Sequence, residues 1–467
     1  MVSLDSLDII VILLFFIAIP LIGFLFSYKK EVSDEDYLLS GRKVGLFLFV
    51  TTTVSTWYGG ILGVGEFSYR FGLVSWVTQG LPYYIFAILF AIFFAKKVRN
   101  ASLFTIPEKL EIVYGRKVSL VASIIIFLLV SPAPYLLMIG SLLALLFDVQ
   151  LFYGLLIGLT LSAIYLFKGG FRANLWVDVL QFFVMFIGFI IIVVVAINNF
   201  GTTDYLIEKL PPLHLEPSGG FSPLFIIVWF LIALWTFADP GFHQRCYAAK
   251  SGSVAVKGIV ISVVIWIFFD FLTTSTGLFS RAVLGEIDNP VLAYPLLAEE
   301  ILTPGLKGLF YAALFATIFS TLNSFIFLSA TTFSKDIAVK YFSKNINAVK
   351  YTQIGLIVSG GVAILLAILI PSVIEIWYTI GSLLIPSLIF LIIGSYYEKF
   401  SVSKKFAITE IITAFTVSSI WMFLKDSSII SGWVIEIEPM IIGVISAMLI
   451  HLLGMKKRGS VLKLYFF

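Results

Sequence analysis

The chain has 467 residues, of which 60% are hydrophobic and only 12% charged, and its mean hydropathy is +1.05. This composition excludes an ordinary soluble enzyme and a nucleic-acid-binding protein, and a net charge of +4 is too small to indicate an anionic partner. One cysteine and three scattered histidines exclude a disulfide framework, a cysteine cluster and a zinc signature. An all-α polytopic membrane protein is therefore expected.

Apolar segments of about 20 residues, the length that a transmembrane helix needs, recur along the whole chain. The first follows the acidic residues 1–8 rather than the basic region of a cleavable signal, so it is expected to be a retained span. The sequence predicts thirteen spans in all, near residues 7–27, 46–71, 73–96, 118–147, 150–168, 173–199, 223–245, 254–284, 305–338, 351–371, 373–397, 405–424 and 439–455.

The distribution of basic residues predicts the orientation of these spans, because cytoplasmic connections collect lysine and arginine. With the N-terminus outside and the C-terminus in the cytoplasm, 26 of the 31 Lys and Arg residues fall on the cytoplasmic side. A multi-pass protein of the cell membrane, inner or plasma, is predicted, and no connection is long enough to form a soluble domain.

Two interrupted spans divide the chain into similar halves. Spans 2–6 and 7–11 form two sets of five, and an odd number of spans turns the second set upside down. Each set opens with a helix breaker, Trp57–Gly60 in the first and Asp239–Gly241 in the second. Paired breaks of this kind indicate a binding site at the interface of inverted repeats. The expected organisation is one transmembrane domain, with an extra helix at 7–27, repeats at 46–199 and 223–397, and two further helices at 405–455.

Hydroxyl residues cluster at the first break and again far along the chain. The run from Thr51 to Gly60 is expected to loosen the helical ladder, and backbone carbonyls freed at membrane depth must be met by protein, water or an ion. Thr317, Ser320 and Thr321 share one face of span 9. Together they predict a cation site built from oxygen atoms. The alternative is that these hydroxyls only bond back to the preceding turn or join two helices.

In their order and spacing, several motifs resemble the sodium:solute symporter family over nearly the whole chain. The motifs are DYLLSGR at 36–42, the break at 51–60, GG at 169–170 with WVDVLQ at 176–181, QRCYAAKS at 244–251, and FSTLNS at 319–324 with KD at 335–336. The chain is similar to sodium/proline-like members, and its TWYGG run at 56–60 resembles the choline-type branch.

This resemblance implies an inverted-repeat transporter with Na⁺ as the coupling ion. It implies that sodium is held by the carbonyls of Thr51, Val54 and Thr317 and by the hydroxyls of Ser320 and Thr321. It also implies that Asp178 lies on the cytoplasmic route of sodium release. A mid-span acid is a functional candidate on physical grounds as well. The alternative for Asp178 is an acid near the cytoplasmic end of the span that reaches water or pairs with Arg172.

The expected solute site lies at the interrupted parts of four spans. Aromatic residues there are candidates for its walls, although packing and the membrane-interface belt also account for aromatic side chains. Asp239 is a candidate for binding an ammonium group or a proton, or else it caps the restarted half-helix. The candidate solute-binding residues are Trp57, Tyr58, Tyr135, Trp235, Asp239, Trp377 and Tyr378.

The sequence thus predicts a sodium-coupled symporter that imports a small organic solute, either an amino acid such as proline or a choline- or betaine-like compound. Its expected partners are the solute, sodium ion and membrane lipid, with no nucleic acid. One alternative is proton-coupled transport through Asp178, Asp239 or Asp270, and another is a sensor or channel on the same scaffold. An enzyme is not expected, since no nucleophile, base and orienting group can be assembled from these motifs.

Overall fold

A computed structural model describes residues 2–27, 32–338, 340, 347–427, 434 and 437–465. Within these ranges the regular structure is helical, and the one β contact is an isolated parallel bridge between Val44 and Ala249. The all-α prediction is confirmed.

The first half of the chain contains twelve named α-helices among the described residues. They are α1 Ser6–Leu25, α2 Asp34–Leu39, α3 Leu46–Trp57, α4 Ile61–Phe71, α5 Leu81–Phe90, α6 Lys96–Ala101, α7 Ile106–Tyr114, α8 Arg116–Leu129, α9 Ala133–Phe147, α10 Leu151–Ala163, α11 Leu166–Phe200 and α12 Thr203–Lys209. Turns of π-helix at Trp76–Gly80 and Ala91–Ala95 flank α5.

The second half continues in the same way. Its helices are α13 Pro223–Ile232, α14 Pro240–Ala248, α15 Gly252–Leu284, α16 Ala293–Ile301, α17 Leu306–Thr332, α18 Ala348–Leu369, α19 Val373–Tyr396, α20 Lys404–Asp426 and α21 Pro439–Tyr465. Shorter 3₁₀ or π turns are Ser40–Arg42, Ala233–Phe237, Pro290–Leu292, Phe333–Ala338 and Glu398–Phe400.

Eleven helical segments of the described chain are long and apolar enough to cross a membrane. The bent pair α3 and α4 is a further candidate span, and α10 is apolar but only 13 residues long. These segments coincide with the thirteen predicted positions, and the exact number of spans stays a prediction. The Pro132–Pro134 run interrupts span 4, since α8 ends at Leu129 and α9 begins at Ala133.

Helix α17 forms the centre of the bundle. Every residue from Phe310 to Ser324 is buried, which is the property of a helix surrounded on all sides by protein. Helix α11 packs along it so closely that a side chain on Gly188 would overlap Ala313. In contrast, α1 exposes apolar side chains such as Leu14 and Ile17, as expected for a helix at the lipid-facing edge.

The N-terminal helix is fastened to this central helix by a buried carboxylate. Asp8 Oδ1 accepts hydrogen bonds from the backbone N–H groups of Gly305, at 2.8 Å, and Gly308, at 2.7 Å. The Lys307 ammonium lies 3.7 Å from the same carboxylate. A negative group at a helix N-terminus satisfies free N–H donors and is favoured by the helix dipole. Asp8 thereby fixes α1 to the start of α17.

Both predicted helix interruptions are present. Helices α3 and α4 meet at 56° across Tyr58, Gly59 and Gly60. In the second half, α13 passes through a 3₁₀ turn and stops before Asp239, where α14 begins.

The first interruption lies later than the sequence suggested, because the hydroxyl run itself is helical. Thr51 and Thr53 donate to the carbonyls of Phe47, at 3.0 Å, and Phe49, at 2.6 Å. Such back-bonding leaves the backbone ladder in place, so the expected loosening along Thr51–Thr56 was wrong. The helix instead stops at the glycine pair, where a close approach of α17 requires a residue without a side chain.

Candidate sodium and solute site

The last turn of α3 meets the face of α17 that carries the second hydroxyl cluster. Thr321 Oγ1 donates to the Thr56 carbonyl at 2.7 Å, and Ser320 Oγ lies 3.0 Å from Ser55 Oγ. The carbonyls of a final helical turn have no partner within their own helix. The two clusters, 265 residues apart in sequence, therefore form one buried group of oxygen atoms.

The five predicted sodium ligands lie on these two helices. Val54 is in the last turn of α3, and Thr51 is one turn earlier in its helical part. Thr317 lies one turn before Ser320 and Thr321 in the unbroken helix α17, where its hydroxyl donates to Ala313 O at 2.6 Å and its carbonyl belongs to the helical ladder. The group contains carbonyl and hydroxyl oxygens without sulfur or imidazole, which suits a hard monovalent cation.

Asp178 of α11 is part of the same group of oxygens. Its Oδ1 lies 2.9 Å from Ser320 Oγ, its Oδ2 accepts from Thr52 Oγ1, and the side chain is fully buried. The Asn174 amide, one turn earlier, is 3.4 Å from Oδ2. A buried carboxylate beside the hydroxyls makes this region strongly attractive to a cation.

Arg245 was not predicted as a site residue, although it lies in the QRCYAAKS motif. Its guanidinium is buried and donates from Nη2 to Thr56 Oγ1 at 2.6 Å, Thr52 Oγ1 at 3.1 Å and Ser324 Oγ at 3.2 Å. Asp178 and Asp239 are the acidic groups whose charges act on it. The arginine therefore lies between the hydroxyl group and the second helix break. The signal for it was a lone arginine within a helix whose residues are otherwise apolar or uncharged.

A cavity of about 700 Å³ opens beside both helix breaks. All seven predicted solute-binding residues contribute to its walls, so the structure brings together positions that are more than 300 residues apart. The cavity wall includes Trp57, Tyr58, Tyr135, Trp235, Asp239, Trp377 and Tyr378.

Three aromatic side chains lie close to Asp239 in the wall of this cavity. The indole of Trp235 is within hydrogen-bonding reach of its carboxylate, and Tyr83 and Tyr135 are close enough for their hydroxyls to interact with its charge. The ring of Tyr135 lies 6.1 Å from that of Trp377. We call Trp57, Tyr83, Tyr135, Trp235 and Trp377 the aromatic cage.

Asp239 also caps helix α14. Its Oδ1 accepts from the Phe242 N–H at 3.0 Å, with extended backbone at the cap position. One of the two sequence-based interpretations, the helix cap, is thus present in the structure. The carboxylate nevertheless lines the cavity, so capping and contact with a solute are compatible.

Three further residues of the cavity wall were not among the predicted solute-binding residues. Tyr83 belongs to the cage, yet nothing in its local sequence marks it. Glu66 is buried and forms an ion pair with Arg70 at 3.0 Å. Asp270, which the sequence indicates only as an alternative proton carrier, lies in the cavity wall.

The cavity reaches one side of the bundle and is closed on the other. It extends to Arg70 and Phe71 at the end of α4, beside the 201–222 connection. At the opposite side, Arg42 donates to the carbonyls of Leu103, at 3.1 Å, and Tyr247, at 3.2 Å, which ties three segments together. The molecule is therefore open towards the side predicted to be outside.

Such a fold and site define a secondary transporter, and comparison with known proteins identifies its family. The sodium:solute symporter family model matches residues 37–403, and the chain belongs to this family. It is 27% identical to the sodium/glucose cotransporter of Vibrio parahaemolyticus, covering 79% of this chain and 75% of the relative. It is 23% identical to the high-affinity choline transporter 1 of Torpedo marmorata, with 79% and 69% covered.

Solved structures agree on the fold. A Na⁺-coupled sialic acid symporter in a substrate-bound outward-open state superposes with a TM-score of 0.81 at 18% identity, covering 97% of this chain and 98% of that one. A nucleobase-cation-symport-1 family transporter gives 0.62 at 13% identity, covering 92% and 96%. The predicted inverted-repeat fold and the family are confirmed. The protein is a sodium-coupled transporter of a small solute and not an enzyme.

Proposed function

We propose that this protein imports a small organic solute with a cationic, choline-type head group, driven by sodium. The observation that carries this proposal is the aromatic cage around the Asp239 carboxylate. Rings attract a cation through their negative faces, and a carboxylate supplies the counter-charge.

Besides its aromatic rings, this region has more acidic than basic side chains. Asp178 and Asp239 share the single guanidinium of Arg245, so this pair of acids leaves one negative charge without a fixed partner. Sodium in the predicted cage beside Asp178 offsets that one charge, so a solute cation would be held by the ring faces and by its closeness to the Asp239 carboxylate rather than by a remaining net negative charge. An amino acid such as proline is the alternative solute class, and its carboxylate would have to approach Arg245.

The ion and solute regions share the end of one helix. Thr56 contributes its carbonyl to Thr321 and its hydroxyl to Arg245, while the next residue, Trp57, forms a wall of the cage. The Trp57 ring stacks on Trp266 with centroids 4.7 Å apart. Sodium that holds the last turn of α3 against α17 thereby positions Trp57, and this is the physical basis we propose for coupling.

Import follows if the two repeats move so that the cavity closes towards the outside and opens towards the cytoplasm. In the cell membrane orientation with the N-terminus outside, the present cavity loads from outside, and rupture of the contacts of Arg42 opens the cytoplasmic side. Asp178, next to the predicted sodium ligands, would then give the ion a route inward. One inward positive charge gains about 2.3 kcal/mol per 100 mV of membrane potential.

Thermal unfolding of the purified protein in detergent tests the proposal. The protein is heated in sodium or in potassium, with choline, betaine, proline, glucose or no solute added. We expect choline to raise the melting temperature only in sodium, because a ligand that binds the native state stabilises it. Stabilisation by proline or glucose instead of choline would refute the solute class and leave sodium coupling standing.

A double variant tests the sodium cage separately. Ser320→Ala with Thr321→Ala removes two hydroxyl ligands, and we expect sodium to lose its stabilising effect. Ser446→Ala is the matched control, because this hydroxyl lies on the peripheral helix α21 and its hydrogen bond within the described part of the chain is to Gly443 O. An unchanged sodium response in the double variant would show that the ion binds elsewhere.

A further inference from the structure

Asp270 of α15 is a half-buried acid in the cavity wall that the proposed sodium and solute sites do not use. It lines the cavity at the wall formed by α15 and the segment leading into α5, next to Trp76 and Gly80. Its neighbour Tyr84 follows Tyr83 in sequence but projects in another direction, since Tyr83 belongs to the cage around Asp239. Asp270 therefore lies in the same cavity but outside the cage.

No basic side chain of the described residues forms an ion pair with Asp270. The groups that act on it are two phenols: Tyr84 OH donates to Oδ2, and Tyr58 OH is within hydrogen-bonding reach. Tyr294 of α16 is the remaining titratable group facing it, and its hydroxyl donates to Thr273 O at 2.7 Å. Arg245, the cation at the bottom of the cavity, is engaged with Asp178 and Asp239 instead.

The lack of a cationic partner matters when the carrier closes. While the cavity is open, water can solvate an ionised Asp270. Closure around ion and solute expels that water, and a buried carboxylate without a counter-charge is then strongly destabilising. Two neutral hydroxyls compensate only part of the lost hydration.

The hydrogen-bond geometry around Asp270 matches a carboxylic acid. Such an acid needs one donor for its carbonyl oxygen and one acceptor for its O–H. Tyr84 is the donor. Tyr58 OH lies 3.1 Å from Trp266 O, and when its proton points there, its oxygen is the acceptor. When Asp270 is ionised, the Tyr58 hydroxyl turns and donates to it instead. Both protonation states are thus satisfied by rotation of one hydroxyl.

A sodium ion would find fewer ligands at this position. Helix α15 runs unbroken from Gly252 to Leu284, so its carbonyls near Asp270 stay in the helical ladder. The predicted sodium cage, in contrast, combines the last turn of α3, where carbonyls lack a partner in their own helix, with the hydroxyls of Ser320 and Thr321. Phenol oxygens and one carboxylate do not replace such a shell.

We propose that Asp270 is a proton-binding site, separate from the sodium cage, that takes a proton from the open cavity before the core closes. The proton comes from cavity water and remains on the carboxyl through the occluded state. It leaves when the cavity opens again. Each import cycle therefore includes a protonation step at Asp270 in addition to sodium binding.

Carbodiimide labelling tests the site without requiring a known solute. Dicyclohexylcarbodiimide adds to protonated carboxyl groups in apolar surroundings, and mass spectrometry locates the adduct. Between about pH 5 and 9 we expect the Asp270 peptide to be labelled at the acid end and labelling to fall as the pH rises. Asp270→Asn, which keeps the size of the side chain, should abolish that signal while the melting temperature in sodium stays within a few degrees.

Proton uptake gives the second measurement. When choline is added to the carrier in weakly buffered sodium solution, we expect the medium to lose up to about one proton per carrier across the same pH range. Asp270→Asn should show none, whereas Glu66→Gln, which alters another cavity carboxylate, should retain it. Absence of both labelling and proton uptake in the wild type would overturn the proposal, as would equal uptake by Asp270→Asn. Loss of choline binding in Asp270→Asn with no labelling of the wild type would instead make Asp270 a counter-charge for the solute.

Discussion

Two adjacent glycines at the break between α3 and α4 separate the ion site from the solute site. A methyl group on Gly59 would overlap the side chain of Thr321, whereas one on Gly60 would meet the ring of Trp377, at 2.5 to 3.3 Å. Neither glycine has a positive φ angle, so alanine suits the backbone at both positions. The effect of each substitution is therefore steric and local.

We expect Gly59→Ala to weaken sodium binding strongly. Thr321 is buried, β-branched and bonded to Thr56 O, so it cannot move aside unless α17 shifts. Overpacking of this kind costs about 1–3 kcal/mol, which is about 5- to 150-fold in a binding constant. The sodium concentration that gives half of the maximal thermal stabilisation should rise by that factor. Gly60→Ala should leave this sodium concentration nearly unchanged and weaken choline binding, to a smaller extent because the Trp377 ring can rotate away.

Gly361→Ala is the matched control, since no atom lies within 4 Å of the added methyl group. It should behave as the wild type, or be slightly more stable because alanine favours a helix. A wild-type sodium response in Gly59→Ala would refute the contact between the break and α17. If Gly59→Ala and Gly60→Ala changed sodium binding and choline binding in the same way, the separation of the two sites would be refuted.

Three further predictions use other parts of the molecule. Arg245→Gln should lower the melting temperature, because it removes the cation beside Asp178 at a cost of about 3–5 kcal/mol. Arg245→Lys should recover stability but not the sodium response, because one ammonium group cannot reach all three hydroxyls. Burial lowers the pKa of His214, which lies in the connection after α12. As the pH falls, the unfolded state therefore binds a proton before the folded state does, and the stability that the neutral imidazole contributes is lost below about pH 6.5. His214→Gln should reduce this acid sensitivity, which pH-dependent unfolding measures. In intact cells an impermeant maleimide should label Glu208→Cys but not Lys399→Cys, and the reverse would refute the predicted orientation.

The positions of the helices and of the solute cavity were accessible to sequence analysis for a physical reason. A membrane span must be long and apolar, and a break at membrane depth must face protein or water. The breaks at Gly59 and Asp239 therefore had to lie at an internal site. Aromatic residues beside them, such as Trp57 and Trp235, had to line it if any cavity existed.

The contacts that sequence analysis missed join residues that are distant along the chain. Tyr84 and Asp270 are 186 residues apart, and Thr56 and Arg245 are 189 apart. Hydropathy describes each helix alone and carries no information on which faces meet. Glu66 shows the same limit, since its burial follows from how α4 packs and not from its place near a span end.

The exact position of the first break was misjudged because a hydroxyl side chain has two possible roles. Along Thr51–Thr56 some hydroxyls bond back to their own helix and others bond across to α17 or α11. Thr53 does the first, and Thr52 does the second. Composition is the same in both cases, so only the three-dimensional packing distinguishes a weakened helix from a polar face.

The signs of the charges constrain how sodium and a cationic solute can assist each other. Two unit charges about 10 Å apart at an effective dielectric constant of about 20 repel each other by about 1.7 kcal/mol. Direct electrostatics therefore opposes joint binding, and coupling must come from the order that sodium imposes on Thr56 and Trp57 at the end of α3. A neutral isostere of choline, 3,3-dimethylbutanol, fills the same cage without that repulsion. We expect it to bind more weakly than choline, yet sodium should increase its affinity by a larger factor, which isothermal titration at several sodium concentrations measures. If sodium aided choline more than the isostere, the ordering of α3 would not be the source of coupling, and a charge-based route through Arg245 would have to replace it.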